Sequence, residues 1–112
     1  MADDSDQLPP SVKIGHLDYA LLILRPKLAT EGSRYGECSH LSQEIRIDHS
    51  HEPRKVAQTL LHEITHAIWG MYGLEDEDKE ERFVNVLANG WAQVWRDNPA
   101  VFLWIGERLA NG

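Results

Sequence analysis

This chain of 112 residues is organised around the stretch Thr59-Leu60-Leu61-His62-Glu63-Ile64-Thr65-His66-Ala67-Ile68. His62 and His66 are four residues apart, so in a helix their imidazoles lie on one face and can reach a single ion. An apolar stripe at helical spacing runs through the same stretch: Val56, Leu60, Ile64, Ala67 and Met71. The stretch therefore predicts an amphipathic helix with two histidines side by side.

The residue types in this helix are those of a catalytic zinc site. Zinc accepts imidazole nitrogen at about 2.0–2.1 Å, and a catalytic zinc has three protein ligands and a water. Glu63 follows the first histidine, from where its carboxylate can take a proton from that water as general base. The pattern thus predicts Zn²⁺ bound by His62 and His66, with Glu63 as the catalytic residue. The competing interpretation is a buried helix that carries two histidines by chance.

A third zinc ligand is expected on the following helix. Glu81 shares a helix face with the small Ala88, and a carboxylate on an inward face is costly unless it is paired or bound to a metal. The competing candidates are Glu80, Glu77 and Asp78. These acids can also form a solvated face at the start of the helix.

Composition restricts the classes of function. Hydrophobic residues make up 42% of the chain, which is typical of one packed domain, and the net charge of −7 argues against binding to nucleic acid or anionic membranes. The single cysteine, Cys38, fits a reducing compartment, and the acidic start lacks the features of a signal peptide. We therefore expect a cytoplasmic protein with a peptide or protein partner, and no nucleic-acid or membrane partner.

The first half of the chain predicts a tail and a small sheet. Residues 1–11 are expected to be a disordered or extended tail, and residues 12–112 a single domain. The apolar segment 12–24 predicts a strand that is broken or bent near Gly15 and stopped by Pro26, with a turn or loop at 27–33.

A second sheet segment follows. The alternation in Glu44–Asp48 predicts a half-buried strand that forms a hairpin with residues 35–40 through Leu41-Ser42. The expected sheet is therefore three-stranded and antiparallel. We expect Glu44–Asp48 to be its edge, to which a substrate strand adds.

Three helices are expected after the sheet. The first begins around Pro53 and continues to about Tyr72, with Gly73 as its stop. The second spans about 76–97 and the third about 99–109, with Asn98 as N-cap. The predicted fold class is α+β.

Two segments together resemble a known family. His62-Glu63-x-x-His66, followed by Glu81-x-x-Val84-Asn85-x-Leu87-Ala88, resembles the gluzincin zinc peptidases. Among these it is similar to the ImmA/IrrE peptidases and to small metallopeptidase-like proteins of phages and prophages, over roughly residues 35–105. The resemblance implies a zincin-like minimal metallopeptidase core, with His62, His66 and Glu81 as Zn²⁺ ligands and Glu63 as the base in peptide-bond hydrolysis. It also implies a phage or prophage origin, and hence the host cytoplasm.

The chain departs from related patterns in three places. Only fourteen residues lie between His66 and Glu81, which is short for this group and leaves little room for substrate-binding insertions. The extended metzincin pattern fails, because Trp69 and Tyr72 stand where a glycine and a histidine are expected. Glu37-Cys38-Ser39 faintly resembles the cysteine motif of peptide deformylase, but the glutamine motif of that enzyme has no counterpart here.

Other polar residues have less specific interpretations. The transition-state oxyanion needs a donor besides the metal, and the four candidates are Tyr19, Tyr35, His40 and Tyr72. His49 and His51 are expected in a solvated loop or as a weak metal pair, and His16 is expected in a loop. Cys38 is expected to be a buried thiol, and Trp69 is expected to pack in the core.

A non-catalytic function is the competing hypothesis. The same zinc can stabilise a small regulatory module that binds a protein without cutting it, and a metal-free relic of the motif is a third possibility. A change of Glu63 to glutamine separates the first two hypotheses, because it removes water activation and retains the histidines. A metal-free relic predicts that His62→Ala scarcely changes stability.

Overall fold

The computed structural model describes residues 7–24, 35–74 and 80–111. Within these ranges the chain forms strands and helices in the α+β arrangement that the sequence predicts. The strands are β1 (Ser11–Ile14), β2 (Leu17–Ile23), β3 (Gly36–Ser39) and β4 (Glu44–Ile47). The helices are α1 (Pro53–Met71), α2 (Glu80–Asp97) and α3 (Pro99–Ala110). No helix in the described ranges is long and apolar enough to cross a membrane.

The sheet differs from the predicted three antiparallel strands. Its described strands have the order β1-β2-β4-β3, and β2 pairs with β4 in parallel, whereas the other two pairs are antiparallel. The predicted bend at Gly15 is a full chain reversal, in which Gly15 has a φ of +62° and Ile14 pairs with Leu17. Glycine adopts this left-handed backbone without steric penalty, so the tight turn forms and one predicted strand becomes two.

β4 lies inside the sheet, so the prediction that Glu44–Asp48 forms its edge is wrong. Ile45 pairs with Cys38 of β3 on one side, as the predicted hairpin requires, and with Leu21 of β2 on the other. The edges of the described sheet are β1 and β3. The alternation of buried Ile45 and Ile47 indicates a covered face, but a covered face does not specify which strands lie alongside.

α1 agrees with the prediction to within one residue. Pro53 occupies its first turn, the side chain of Glu52 accepts a hydrogen bond from the Lys55 backbone N–H at 2.9 Å, and Gly73 follows the helix with a φ of +64°. The predicted apolar stripe packs into one core with the sheet and α3. α3 extends one residue beyond its predicted end. The predicted start of α2 at Asp76 lies outside the described residues, as do Pro26 and the segment 27–33.

Asn98 occupies the predicted N-cap position of α3, and its side chain joins the helices to the sheet. Its side chain makes no cap hydrogen bond. Its Oδ1 accepts from the Lys13 backbone N–H at 2.8 Å, and its Nδ2 donates to the carbonyl oxygens of Lys13 at 2.9 Å and Val94 at 2.8 Å. Gln93 adds a neighbouring bond, because its Oε1 accepts from the Gly15 N–H at 2.7 Å. These bonds attach the α2–α3 turn to β1.

The end of the predicted tail belongs to the folded domain. Residues 1–6 lie outside the described part of the chain. Leu8 packs against the core, the carbonyl of Pro10 accepts from the Leu21 N–H at 2.9 Å, and Ser11 begins β1. The ordered domain therefore begins before the predicted boundary at residue 12, because the segment continues the pairing with β2.

Replacing Asn98 with alanine is expected to lower the free energy of unfolding by about 2–3 kcal/mol. The reason is that the change removes three hydrogen bonds at a buried turn. Urea denaturation measures the loss, and Asn89→Ala at an exposed position of α2 is the matched control, expected within about 0.5 kcal/mol of the wild type. Equal effects of the two changes would contradict the role given to Asn98.

Candidate metal centre

α1 brings the two predicted histidine ligands together. The Nε2 atoms of His62 and His66 are 3.1 Å apart, and the ring centroids are 4.8 Å apart. Two nitrogens that share a tetrahedral zinc at about 2.0–2.1 Å lie about 3.3 Å from each other. Both histidines are exposed, so an ion has access from solvent. The donor type, spacing and exposure of this pair fit zinc.

Glu63 lies between α1 and the edge strand β3. It is only 7% exposed, although both histidines are open to solvent. A Cβ placed at Gly36 would lie 2.8 Å from Thr59 Cγ2, 3.0 Å from the Arg46 carbonyl oxygen and 3.3 Å from Glu63 Cγ. Glycine at this position therefore lets β3 pass close to α1 at the level of the predicted base.

Two cavities adjoin the histidines along α1. The upstream cleft, of about 300 Å³, is lined by Tyr35, Gly36, Lys55, Gln58, Thr59, His62 and Glu63. The downstream cleft, of about 400 Å³, is lined by His62, Thr65, His66 and Trp69. Because His62 lines both, the histidine pair has open space on each side. Trp69, predicted as core packing, is instead a partly exposed wall of the downstream cleft.

The predicted third ligand is not grouped with the histidines. Among the residues that the structure describes, no three His, Cys, Asp or Glu side chains are close enough to hold a metal ion together. Glu80 and Glu81 are exposed in the first turn of α2, and Glu77 and Asp78 lie outside the described ranges. Glu81 therefore stays a prediction.

The face of α2 that carries Glu81 is not the inward face. Val84 is 58% exposed and Trp95 63% exposed, whereas the buried residues of α2 are Gly90 and Val94. The close approach to α1 occurs at Gly90, where a Cβ would lie 2.5 Å from Ile68 Cγ2, and not at Ala88. The expectation that Glu81 lies on the inward face of α2 is thus wrong. α2 has two apolar stripes, and the stripe that packs against the rest of the domain is not the one on the face of Glu81.

The beginning of α2 nevertheless lies beside the downstream cleft. The ring of Phe83 stacks on Trp69 with centroids 4.9 Å apart and planes inclined by 21°. Trp69 follows His66 by three residues on α1. This contact brings the first turns of α2 next to the helix segment that carries the second histidine.

The structure separates the four candidate oxyanion donors. Tyr35 lines the upstream cleft, and the ring of His40 lies against Gly70, one helical turn beyond His66 on the same face of α1. Tyr19 is buried, and its hydroxyl contacts His40 Nδ1 at 3.2 Å, so it can orient that ring. Tyr72 lies close to Gly90 of α2. Tyr35 and His40 are therefore the two candidates beside the histidine face.

Cys38 lies next to the predicted base. It is half-buried and packs against the core, as expected for a thiol in this hairpin. Burial, and to a lesser extent the negative charge of Glu63, raise the pKa of the Cys38 thiol to about 11. The thiol is therefore protonated at neutral pH in the metal-free protein and is a weak nucleophile there.

The remaining histidines have separate surroundings. His49 stacks on Trp104 with centroids 6.1 Å apart, whereas His51 Nε2 lies 3.2 Å from Asp48 Oδ2. Hydrogen bonds from Ser50 lower the pKa of Asp48, and the neighbouring His51 lowers it further. The exposed His16 lies in the β1–β2 turn, as predicted.

Sequence reasoning assigned no role to Gly36, Lys55 or Gln58, which line the upstream cleft. Gly36 is a glycine inside a strand, which often marks a close approach of another backbone or side chain. Lys55 precedes His62 by seven residues, which places both on one face of α1. Both signals were present in the sequence.

Comparison of the chain with protein families, curated proteins and solved structures finds no match. The interpretation of the site therefore rests on the residues and distances given above.

Burial of Cys38 and its electrostatic interaction with Glu63 predict a pH-dependent reactivity. In the folded protein, the rate of Cys38 alkylation by iodoacetamide should rise with pH, with a midpoint near pH 11. In protein unfolded by urea, the midpoint should lie near the usual pKa of a thiol. Because the folded state disfavours the thiolate, its stability should fall as pH rises from the unfolded-state value through about 11.

Replacing Glu63 with glutamine should lower this alkylation midpoint, because it removes the negative charge beside the thiol. Glu37→Gln is the control: it removes a carboxylate that adjoins Cys38 in sequence but makes an ion pair with Arg46. An unchanged midpoint in Glu63→Gln would refute the placement of Glu63 beside the thiol.

Proposed function

We propose that this chain is a zinc-dependent peptidase of the gluzincin type, encoded by a phage or prophage. His62 and His66 bind Zn²⁺, Glu81 supplies the third ligand and Glu63 is the general base. The observation that carries the proposal is the convergence of two imidazole nitrogens, 3.1 Å apart, beside a carboxylate held in a cleft. A histidine pair that serves only packing needs neither solvent access nor a neighbouring carboxylate.

The proposed chemistry divides between the metal and the chain. Bound zinc polarises a peptide carbonyl and lowers the pKa of a water toward neutrality. Glu63, held between α1 and β3, takes a proton from the attacking water and passes it to the leaving amine. Tyr35 or His40 donates a hydrogen bond to the oxyanion.

The substrate is proposed to bind along β3 as an additional strand. β3 is an edge of the described sheet and passes closely over α1 beside Glu63. An edge strand offers backbone N–H and C=O groups to an extended peptide. Tyr35 and His40 precede and follow β3, so a peptide paired with this strand passes between the two candidate donors.

A second candidate function is a zinc-stabilised module that binds a protein without cutting it. It is favoured by the large apolar side chains on the outer faces of α2 and α3, where Trp95 is 63% exposed and Leu103 is 67% exposed. Aromatic residues such as tryptophan are enriched at protein interfaces. This function needs the fold and the zinc but not the base.

Replacing Glu63 with glutamine distinguishes the two functions. If the chain is a peptidase, the variant should bind zinc and fold as the wild type does, yet cleave a mixture of casein-derived peptides about 10²–10⁴-fold more slowly. Mass spectrometry of the mixture measures the cleavage, and Glu107→Gln on α3 is the control with unchanged turnover. Equal turnover in the wild type and Glu63→Gln would contradict the proposed mechanism.

A further inference from the structure

The upstream cleft contains a lysine as well as the predicted base. Lys55 is the one lysine or arginine among the described residues that line it. The volume of about 300 Å³ is at the lower end of the range for small-ligand pockets, so it suits a single amino-acid side chain. The lining is largely polar: besides Lys55 it includes Tyr35, Gln58 and Thr59.

Contacts with uncharged partners hold the Lys55 side chain at the wall of the cleft. Its Nζ lies 4.2 Å from the centroid of the Tyr35 ring and donates to Gln58 Oε1 at 3.2 Å. A cation over an aromatic face is stabilised by the ring quadrupole, and the contact also restricts the side chain. The ammonium is thus positioned before any ligand binds.

The acidic residues in the segment 44–54 have other partners. Glu52 caps the start of α1, Asp48 binds Ser50 and His51, and Glu44 pairs with Arg46. None of the ion pairs found in the described ranges includes Lys55. In a chain with a net charge of −7, a lysine whose ring and amide contacts, Tyr35 and Gln58, are uncharged is a natural site for an external carboxylate.

The position of Lys55 relative to Glu63 matches an extended substrate. Eight residues of helix separate them, a rise of about 12 Å along α1. An extended peptide advances about 3.3 Å per residue. One or two peptide residues, together with the reach of the side chains at the two ends, span this distance.

We propose that the upstream cleft is a substrate subsite that binds a carboxylate of the peptide close to the cleaved bond, with Lys55 as its specificity-determining residue. The inference rests on the proposed function, because it takes the ligand of the cleft to be a peptide. A carboxylate accepts from the Lys55 ammonium and from the amide N–H groups of Gln58, whose Oε1 is already used by Lys55.

The carboxylate can belong to an acidic side chain or to the carboxyl terminus of the peptide, and three probes separate these sources. N-acetyl-glutamate methylamide has only a side-chain carboxylate, and N-acetyl-glutamine has only a terminal one. N-acetyl-glutamine methylamide has neither. Each is titrated into ¹⁵N-labelled full-length protein, and the amide shifts of residues 55–63 are followed by NMR.

At least one charged probe should produce saturable shifts and bind at least about fivefold more tightly than the uncharged probe, as expected for a partly exposed ion pair. Lys55→Met should abolish the difference. Lys55→Glu should reverse the charge preference, so that N-acetyl-lysine methylamide binds more tightly than the probes with a carboxylate. A misfolded variant would not show this reversal. The control Lys13→Met, on the opposite edge strand β1, should bind as the wild type does.

Equal binding of charged and uncharged probes would overturn the subsite. A preference for carboxylate that Lys55→Met leaves unchanged would also overturn it, because that result indicates binding at the metal or elsewhere. The titration does not require peptide cleavage, so it tests the subsite independently of the peptidase proposal. The peptidase proposal fails if the protein binds no zinc, or if Glu63→Gln cleaves peptides as well as the wild type.

Discussion

The close approach of β3 to α1 at Gly36 is the constraint on which the rest of the site depends. A side chain at this position would collide with Thr59 and press on Glu63. Because glycine is there, the edge strand lies directly against the helix, Glu63 is buried beside Cys38, and the upstream cleft forms between Tyr35 and Lys55. The predicted base Glu63, the edge strand β3 and the upstream cleft thus all lie at the contact between Gly36 and α1.

α1 provides the rigid support for this arrangement. One face of the helix is part of the core with the sheet and α3, and the opposite face presents His62 and His66 to solvent. Side chains on a packed helix are held more precisely than side chains on loops, which metal binding requires. The bonds of Asn98 to Lys13 and Val94 attach the α2–α3 turn to β1 and so stabilise the same core from its other end.

The sequence predicts α1 and its histidine pair well, because both follow from local spacing. The helical period sets the stripe and the convergence of His62 with His66, and Pro53 and Gly73 mark the ends. Two of the features that were wrong, the pairing of β2 with β4 and the inward face of α2, depend on contacts between distant residues, whereas the β1–β2 reversal is local. The β1–β2 reversal requires a left-handed Gly15, and the parallel pairing of β2 with β4 has no local signature. The inward face of α2 could not be predicted because Val84 and Leu87 belong to two competing apolar stripes, and packing at Gly90 selects one of them.

The central claim is that His62 and His66 hold zinc together with a glutamate of α2. Elemental analysis of protein purified without added metal, beside the variants His62→Ala, Glu81→Ala and Glu80→Ala, tests it most directly. The account predicts about one zinc per chain in the wild type and in Glu80→Ala, and its loss in the other two variants. A wild-type protein that contains no zinc, even after incubation with the metal, would contradict the account.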